Sequence, residues 1–189
     1  MSSHHIVREK QEPALLILGL DDFSDELLGQ LLEWSPTVIV TPDIADKLHA
    51  FGIKIDWVIT DQADLQLQSD VKLLPKENYT ETAASMEFLI AQGYPAVNII
   101  TDDLELNDYL PYIDEINIVI YHRNQKIYAV HSGFSKWKPA GEMIQLISEI
   151  QPLFTNGLEP LGDNRFKTMD DGLFSLQFTQ PFLFVAEEI

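Results

Sequence analysis

Ala14-Leu15-Leu16-Ile17-Leu18-Gly19 is an unbroken apolar run of strand length closed by a glycine, and a helix signal follows it at once. Ser24 stands where a helix cap belongs, ahead of Leu27, Leu28, Leu31 and Leu32 at helical spacing, with Phe23 placed to staple onto Leu28. The alternation then repeats. Val38-Ile39-Val40-Thr41, Trp57-Val58-Ile59-Thr60, Val97-Asn98-Ile99-Ile100 and Ile116-Asn117-Ile118-Val119-Ile120 read as further strands. Asp43 is expected to cap a helix through Ile44, Leu48 and Phe51 that stops at Gly52; a third helix runs from Tyr79 to Gln92 and stops at Gly93. Strands apolar at nearly every position are buried on both faces. The pattern therefore predicts an α/β fold with a mostly parallel sheet and helices on both of its faces.

After Arg123 the helical period disappears. Lys126-Ile127-Tyr128-Ala129-Val130, Met143-Ile144-Gln145-Leu146-Ile147 and Phe182-Leu183-Phe184-Val185 read as strands with no helix between them. Phe174, Leu176 and Phe178 alternate with polar neighbours, as in a half-buried antiparallel strand. Pro139-Ala140-Gly141, Asn156-Gly157 and Gly162-Asp163-Asn164 supply the turns. The expected organisation is an α/β domain over residues 1–124, followed over 125–189 by a small antiparallel β-sandwich or barrel.

Twelve basic residues against thirty acidic ones give the 189-residue chain a formal charge of −18. That balance argues against nucleic acid and anionic membrane as partners, since both call for a basic face. The chain has no cysteine, which removes disulfides, thiolate metal sites and thiol nucleophiles together. No signal-peptide core and no apolar run of membrane-spanning length is present, so a cytoplasmic location is expected.

Three segments carry a family resemblance. Phe51-Gly52-Ile53-Lys54-Ile55-Asp56-Trp57-Val58-Ile59-Thr60-Asp61 resembles thiamine pyrophosphokinases, in which a helix ending in Leu-Gly-Ile-Lys-Pro-Asp leads through a strand into Gly-Asp-Phe-Asp-Ser. Asn78-Tyr79-Thr80-Glu81, with the helix after it and Gly93-Tyr94-Pro95-Ala96-Val97, is similar to the family's Lys-Asp-x-Thr-Asp segment, its helix and its next strand. Gly141-Glu142-Met143-Ile144-Gln145-Leu146-Ile147 and Thr155-Asn156-Gly157-Leu158-Glu159-Pro160-Leu161 resemble the thiamine-binding β domain. Order and spacing hold over residues 14 to 186.

What the resemblance implies is transfer of a pyrophosphoryl group from ATP to the hydroxyl of thiamine, chemistry that needs carboxylates on Mg²⁺ and cations on the phosphates. Motif by motif, most of those groups are replaced. The Asp-Gly-Gly-Ala turn falls on Pro42-Asp43-Ile44-Ala45, which leaves Asp43 as a nucleotide-binding candidate without the glycines. In Thr60-Asp61-Gln62-Ala63-Asp64 only Asp61 keeps a metal-binding aspartate, the second being Ala63. In Glu77-Asn78-Tyr79-Thr80-Glu81 the phosphate-facing lysine is Glu77 and a metal aspartate is Asn78. Thr80 and Glu81 remain as vestigial catalytic residues beside Asp61, and Asn78 as a second nucleotide-binding candidate. The Gly-Gly-Arg-x-Asp-His stretch has no counterpart in Thr101-Asp102-Asp103-Leu104-Glu105-Leu106-Asn107-Asp108.

Each candidate also has a plain structural reading. Asp61 can cap a turn, and Asn78 with Glu81 fits a capping box. Asp102, Asp103, Glu105 and Asp108 lack the order of a Ca²⁺ loop and read as a solvated loop. His122 and His131 match no zinc spacing. Trp34 and Trp57 are expected in the core. Trp137, between Lys136 and Lys138, is expected to stack on a ligand or to sit in a subunit interface. The resulting expectation is a non-catalytic homologue with no cofactor and an unidentified small-molecule ligand. It is expected to be a homodimer through the β domain, a state implied by the family and by that region's aromatic density. An active thiamine diphosphokinase using Mg²⁺, or an enzyme of altered specificity in the same cleft, is the alternative.

Overall fold

A computed structural model of the protein describes residues 12–62, 70–148 and 152–189. The fold is α/β with a large mixed sheet and a smaller antiparallel sheet. The chain divides into two compact units, Met1–Arg123 and Asn124–Ile189.

In the first unit β1 (Ala14–Ile17), α1 (Asp25–Leu32), β2 (Val38–Val40), α2 (Pro42–Ala50), β3 (Trp57–Ile59), β4 (Lys72–Leu74), α3 (Glu81–Ala91), β5 (Ala96–Ile100), a 3-10 helix (Leu106–Tyr112) and β6 (Asn117–His122) follow in order. The strands lie side by side as β4-β3-β2-β1-β5-β6, every pair parallel. The order runs outward from β1 in one direction and then resumes on its other side with β5. The sheet therefore has a switch point at β1, where open α/β sheets leave a crevice beyond their strand ends.

Leu15, Ile17, Val38, Val40 and Val58 share a core with Leu28 of α1 and Ile44, Ala45 and Leu48 of α2. Trp57, one residue from Val58 and so on the opposite face, packs its ring on Phe88 of α3 at 4.6 Å between centroids. Ser24 caps α1 as expected, its hydroxyl accepting the Leu27 N–H. Gly52 ends α2 at φ +70, where a side chain is disfavoured, and Ile53 N–H returns to the Leu48 carbonyl in a Schellman closure.

Two cap assignments change. The α2 cap is Thr41 with Pro42 in the first turn, so Asp43 lies inside the helix. The α3 cap is Thr80, whose hydroxyl accepts the Ala83 N–H at 3.1 Å, so the Asn78–Glu81 capping box does not form. Trp34 is also misplaced by the sequence reading: it is 69% exposed beyond the end of α1.

The second unit is all β. It comprises β7 (Gln125–Val130), β8 (Phe134–Lys138), β9 (Met143–Leu146), β10 (Leu153–Asn156), β11 (Leu158–Gly162), β12 (Arg165–Thr168), β13 (Gly172–Phe178) and β14 (Leu183–Glu188). Its strands order as β7-β14-β9-β12-β11 and as β10-β13-β8, every pair antiparallel. Val130, Ile144, Leu146, Phe174, Leu176, Phe178 and Val185 form the core between them. Asp163 and Asn164, both at positive φ, make the two-residue turn from β11 to β12 that their chemistry favours.

Candidate functional site

Beyond the ends of β1, β2 and β5, at the switch point, lies a cleft of about 550 Å³. Leu18 comes from the end of β1, Thr41 and Asp43 from β2 and the start of α2, and Glu81 and Thr82 from the first turn of α3. Thr101, Asp102, Asp103, Glu105, Asp108 and the buried Tyr109 come from the segment after β5. With Asp21 the described residues of the lining include seven carboxylates, and no lysine or arginine is among them.

Asp103, Glu105 and Asp108 are exposed, as a solvated loop would be, and Asp102 is half-buried. Asp102 accepts the Asp21 N–H at 3.1 Å, and the Thr101 hydroxyl, which donates to the Asp103 carbonyl at 2.7 Å, also accepts the Asp103 N–H. Gly19 permits this closure, because a Cβ there would meet the Asp102 carboxylate at 2.3 Å. The 3-10 helix then carries Tyr109 and Tyr112 inward. Burial pushes the Tyr109 hydroxyl up to about 12, reinforced by the Asp108 charge, so it stays protonated. The available signal in the sequence was the Tyr109–Tyr112 spacing, one turn of a tight helix.

Among the described residues, Lys47 and Lys76 each pair with a carboxylate that lines the cleft. Lys47 donates to Asp21 at 2.7 Å, and that hydrogen bond raises its pKa. Lys76 is ion-paired with Glu81. The hydrogen bond from Lys76 holds the Glu81 carboxyl below its ordinary value.

Of the residues proposed from sequence, Asp43 and Glu81 meet in the cleft. Asp43 accepts the Thr41 hydroxyl at 2.7 Å. Thr80 serves as a helix cap. Asp61 performs a turn-binding role: its Oδ1 accepts the N–H groups of Lys76 and Glu77, each at 2.9 Å, which ties the end of β3 to the end of β4. Neither Asp61 nor Asn78 lines the cleft. Ala63 and Asp64 lie outside the described residues. Among the described residues no three imidazole or carboxylate groups converge as metal ligands do. No step is assigned to the Mg²⁺ that the resemblance implies.

Trp137 belongs to the second unit and is 59% exposed on the outer face of the three-stranded sheet. Leu173 lies directly opposite on β13, and exposed Phe154 shares that face from β10. The flanking Lys136 and Lys138 point to the other face.

No family model matches the chain and no curated protein is similar to it in sequence. Solved structures are similar. A probable thiamine pyrophosphokinase from Staphylococcus saprophyticus superposes with a TM-score of 0.68 at 13% identity, over 93% of this chain and 98% of that one. The thiamine pyrophosphokinase of Bacillus subtilis gives 0.65 at 13% identity over 94% and 99%. The yeast thiamin pyrophosphokinase gives 0.68 at 10% identity over 97% and 88%. Nearly full-length superposition at such low identity is a likeness of fold: this chain is a divergent protein with the thiamine pyrophosphokinase fold.

Proposed function

We propose that the protein is a non-catalytic relative of the thiamine pyrophosphokinases that binds a small molecule other than a nucleotide. The observation that carries this reading is the lining of the cleft: among the described residues, seven carboxylates and no cation. Pyrophosphoryl transfer develops negative charge on phosphate oxygens, and catalysis consists largely of positioning and neutralising it. Carboxylates that hold no metal do the opposite. The pairing of Lys47 with Asp21 and of Lys76 with Glu81 engages these two lysines with carboxylates rather than with a phosphate.

The wider reading is consistent with this. Residues 1–124 act as an α/β domain with helices on both sheet faces, supported by α1 and α2 packing opposite Trp57 and Phe88. Residues 125–189 act as a β domain and the site of a homodimer contact, supported by the exposed Trp137, Leu173 and Phe154 on one sheet face. No helix among the described residues is long and apolar enough to cross a membrane. A cytoplasmic place, without nucleic acid or membrane as partner, accords with the acidic, cysteine-free chain.

The test is a thermal-melt comparison with Mg-ATP, Mg²⁺ alone and thiamine, beside an assay for thiamine diphosphate. A ligand present at 100 times its Kd stabilises by about 2.7 kcal/mol, a shift easily seen. No shift with Mg-ATP and no product are expected. Upward displacement by Mg-ATP, or formation of thiamine diphosphate, overturns the proposal.

A further inference from the structure

The turn that follows β1 is occupied by a carboxylate of the chain itself. Gly19 stands at its start with φ outside the left-handed region, so the glycine is required there for room and not for conformation. What takes the room is Asp102: a Cβ on Gly19 would come within 2.3 Å of its Oδ2 and 2.7 Å of its backbone nitrogen. Both oxygens of Asp102 face the Asp21 N–H, at 3.2 and 3.1 Å. Strand register sets the residues together. Ile17 of β1 pairs with Ile100 of β5, and Gly19 and Asp102 each follow two residues on. The buried Thr101, bonded through its hydroxyl to both backbone groups of Asp103, fixes the segment that carries Asp102.

A glycine turn after the first strand, offering a backbone N–H to the crevice at the switch point, is where open α/β folds receive an anionic group. In this chain the anionic group is already built in. We propose that Asp102 is a specificity-determining residue of the cleft, an internal carboxylate that takes the anion position on the turn after β1 and so keeps phosphate groups out of it. The inference rests on the reading of the cleft as one that takes no nucleotide, and it names a group responsible. Lys47 bears on the same place. Its ammonium donates to the Asp21 carboxylate at 2.7 Å and is also attracted by the charge of Asp102, so a phosphate standing in for Asp102 inherits that attraction.

The experiment follows the Asp21 amide by NMR while inorganic phosphate is added to the full chain, with sodium chloride at matched ionic strength as reference. In wild type that amide is expected to stay where it is. Asp102→Ala vacates the position, and its Asp21 amide is expected to shift saturably, with a rise in Tm of about 2 to 4 °C at ten times Kd. The other carboxylates of the cleft remain, so the affinity is expected to be weak. Asp102→Asn loses the same charge but keeps an oxygen on the Asp21 N–H, and is expected to bind phosphate at least about tenfold less tightly than Asp102→Ala. Asp102→Ser, equally short, takes the place of the alanine variant if that one does not fold. Three results overturn the proposal: a wild-type amide that moves as far as the variant's, a folded Asp102→Ala that ignores phosphate, or an Asp102→Asn that binds as tightly as Asp102→Ala. A folded Asp102→Ala that ignores phosphate leaves the reading of the cleft standing, whereas stabilisation of the wild type by Mg-ATP removes that reading.

Discussion

Lys76 and Glu81 close an ion pair across the turn that enters α3, and in doing so place the one cation of that turn against a carboxylate of the cleft. The resemblance sets Glu77 in the position of a phosphate-facing lysine. Lys76 stands one residue earlier and is committed to Glu81. The pair is accessible to solvent, so a double-mutant cycle with Lys76→Met and Glu81→Gln should give a coupling no larger than that of an ordinary surface ion pair. The Glu81 carboxyl is held low in the folded state, so its contribution is present above the ordinary carboxylate pKa and is lost as pH falls through the folded value. The coupling is therefore expected at neutral pH and absent near pH 2; urea melts at both settle it. A coupling that survives at pH 2 would contradict the assignment.

Thr80 and Asn78 separate the two ways α3 could begin. The Thr80 hydroxyl accepts the Ala83 N–H. Thr80→Ala is expected to cost about 1 kcal/mol by loss of the cap. Asn78→Ala, at an exposed position outside the helix, should change stability by less than about 0.5 kcal/mol. Equal losses in denaturant midpoints would restore the capping box that the structure excludes.

Glycine positions in the two units differ in what surrounds them. Gly157 sits at φ +74 with a hypothetical Cβ only 2.9 Å from the Leu173 carbonyl oxygen, whereas Gly52, at φ +70, has open space. Gly52→Ala is expected to cost about 1 kcal/mol through conformation alone. Gly157→Ala adds a backbone clash and should cost at least about 2 kcal/mol. Chemical denaturation of the two variants checks the order.

Glu187 is buried yet ionised. Burial raises its pKa, but the hydrogen bonds from Lys136, Tyr128 and Lys138 outweigh that and leave it below the ordinary carboxylate value. Glu187→Gln leaves the lysines without their central partner and is expected to cost about 3 kcal/mol. Because the folded value is depressed, the stability that Glu187 supplies holds above the unfolded carboxylate pKa and fades as acid protonates the folded protein. Wild type should therefore lose its advantage over Glu187→Gln at low pH; a pH-independent gap would show that packing, not charge, is responsible.

The proposed subunit contact has a direct test in Trp137. Charge on an exposed apolar sheet face opposes its burial against a second copy. Trp137→Glu is expected to convert a dimer into a monomer in light scattering at micromolar concentration, with little change in the melt of the monomer. A wild type already monomeric at that concentration would remove the contact.

The central strands and the helices between them were legible because apolar runs, caps and terminal glycines all agreed there, as at Ser24 and Gly52. β8 was hidden because its inward positions include Lys136 and Lys138, which a period-two pattern assigns to solvent. β11 was hidden by Pro160, which an edge strand tolerates. The short strand β4 offered only Lys72-Leu73-Leu74, too little for a pattern. At the cleft, Asp43 and Glu81 were found through the resemblance. Asp21 and the carboxylates after β5 were missed, because convergence on a switch point belongs to topology rather than to any motif.

β1 has a longer reach than its four residues suggest. It pairs with β2 on one side and on the other with β5, which brings Val97 beside Ala14. A growing chain therefore makes β1 early and leaves one of its edges open until β5 has been synthesised. That edge is flanked by Leu15, Leu16 and Ile17, residues that invite pairing with any other extended chain. A chain truncated between α3 and β5 is accordingly expected to aggregate more readily than the full chain, which sedimentation of the two would show.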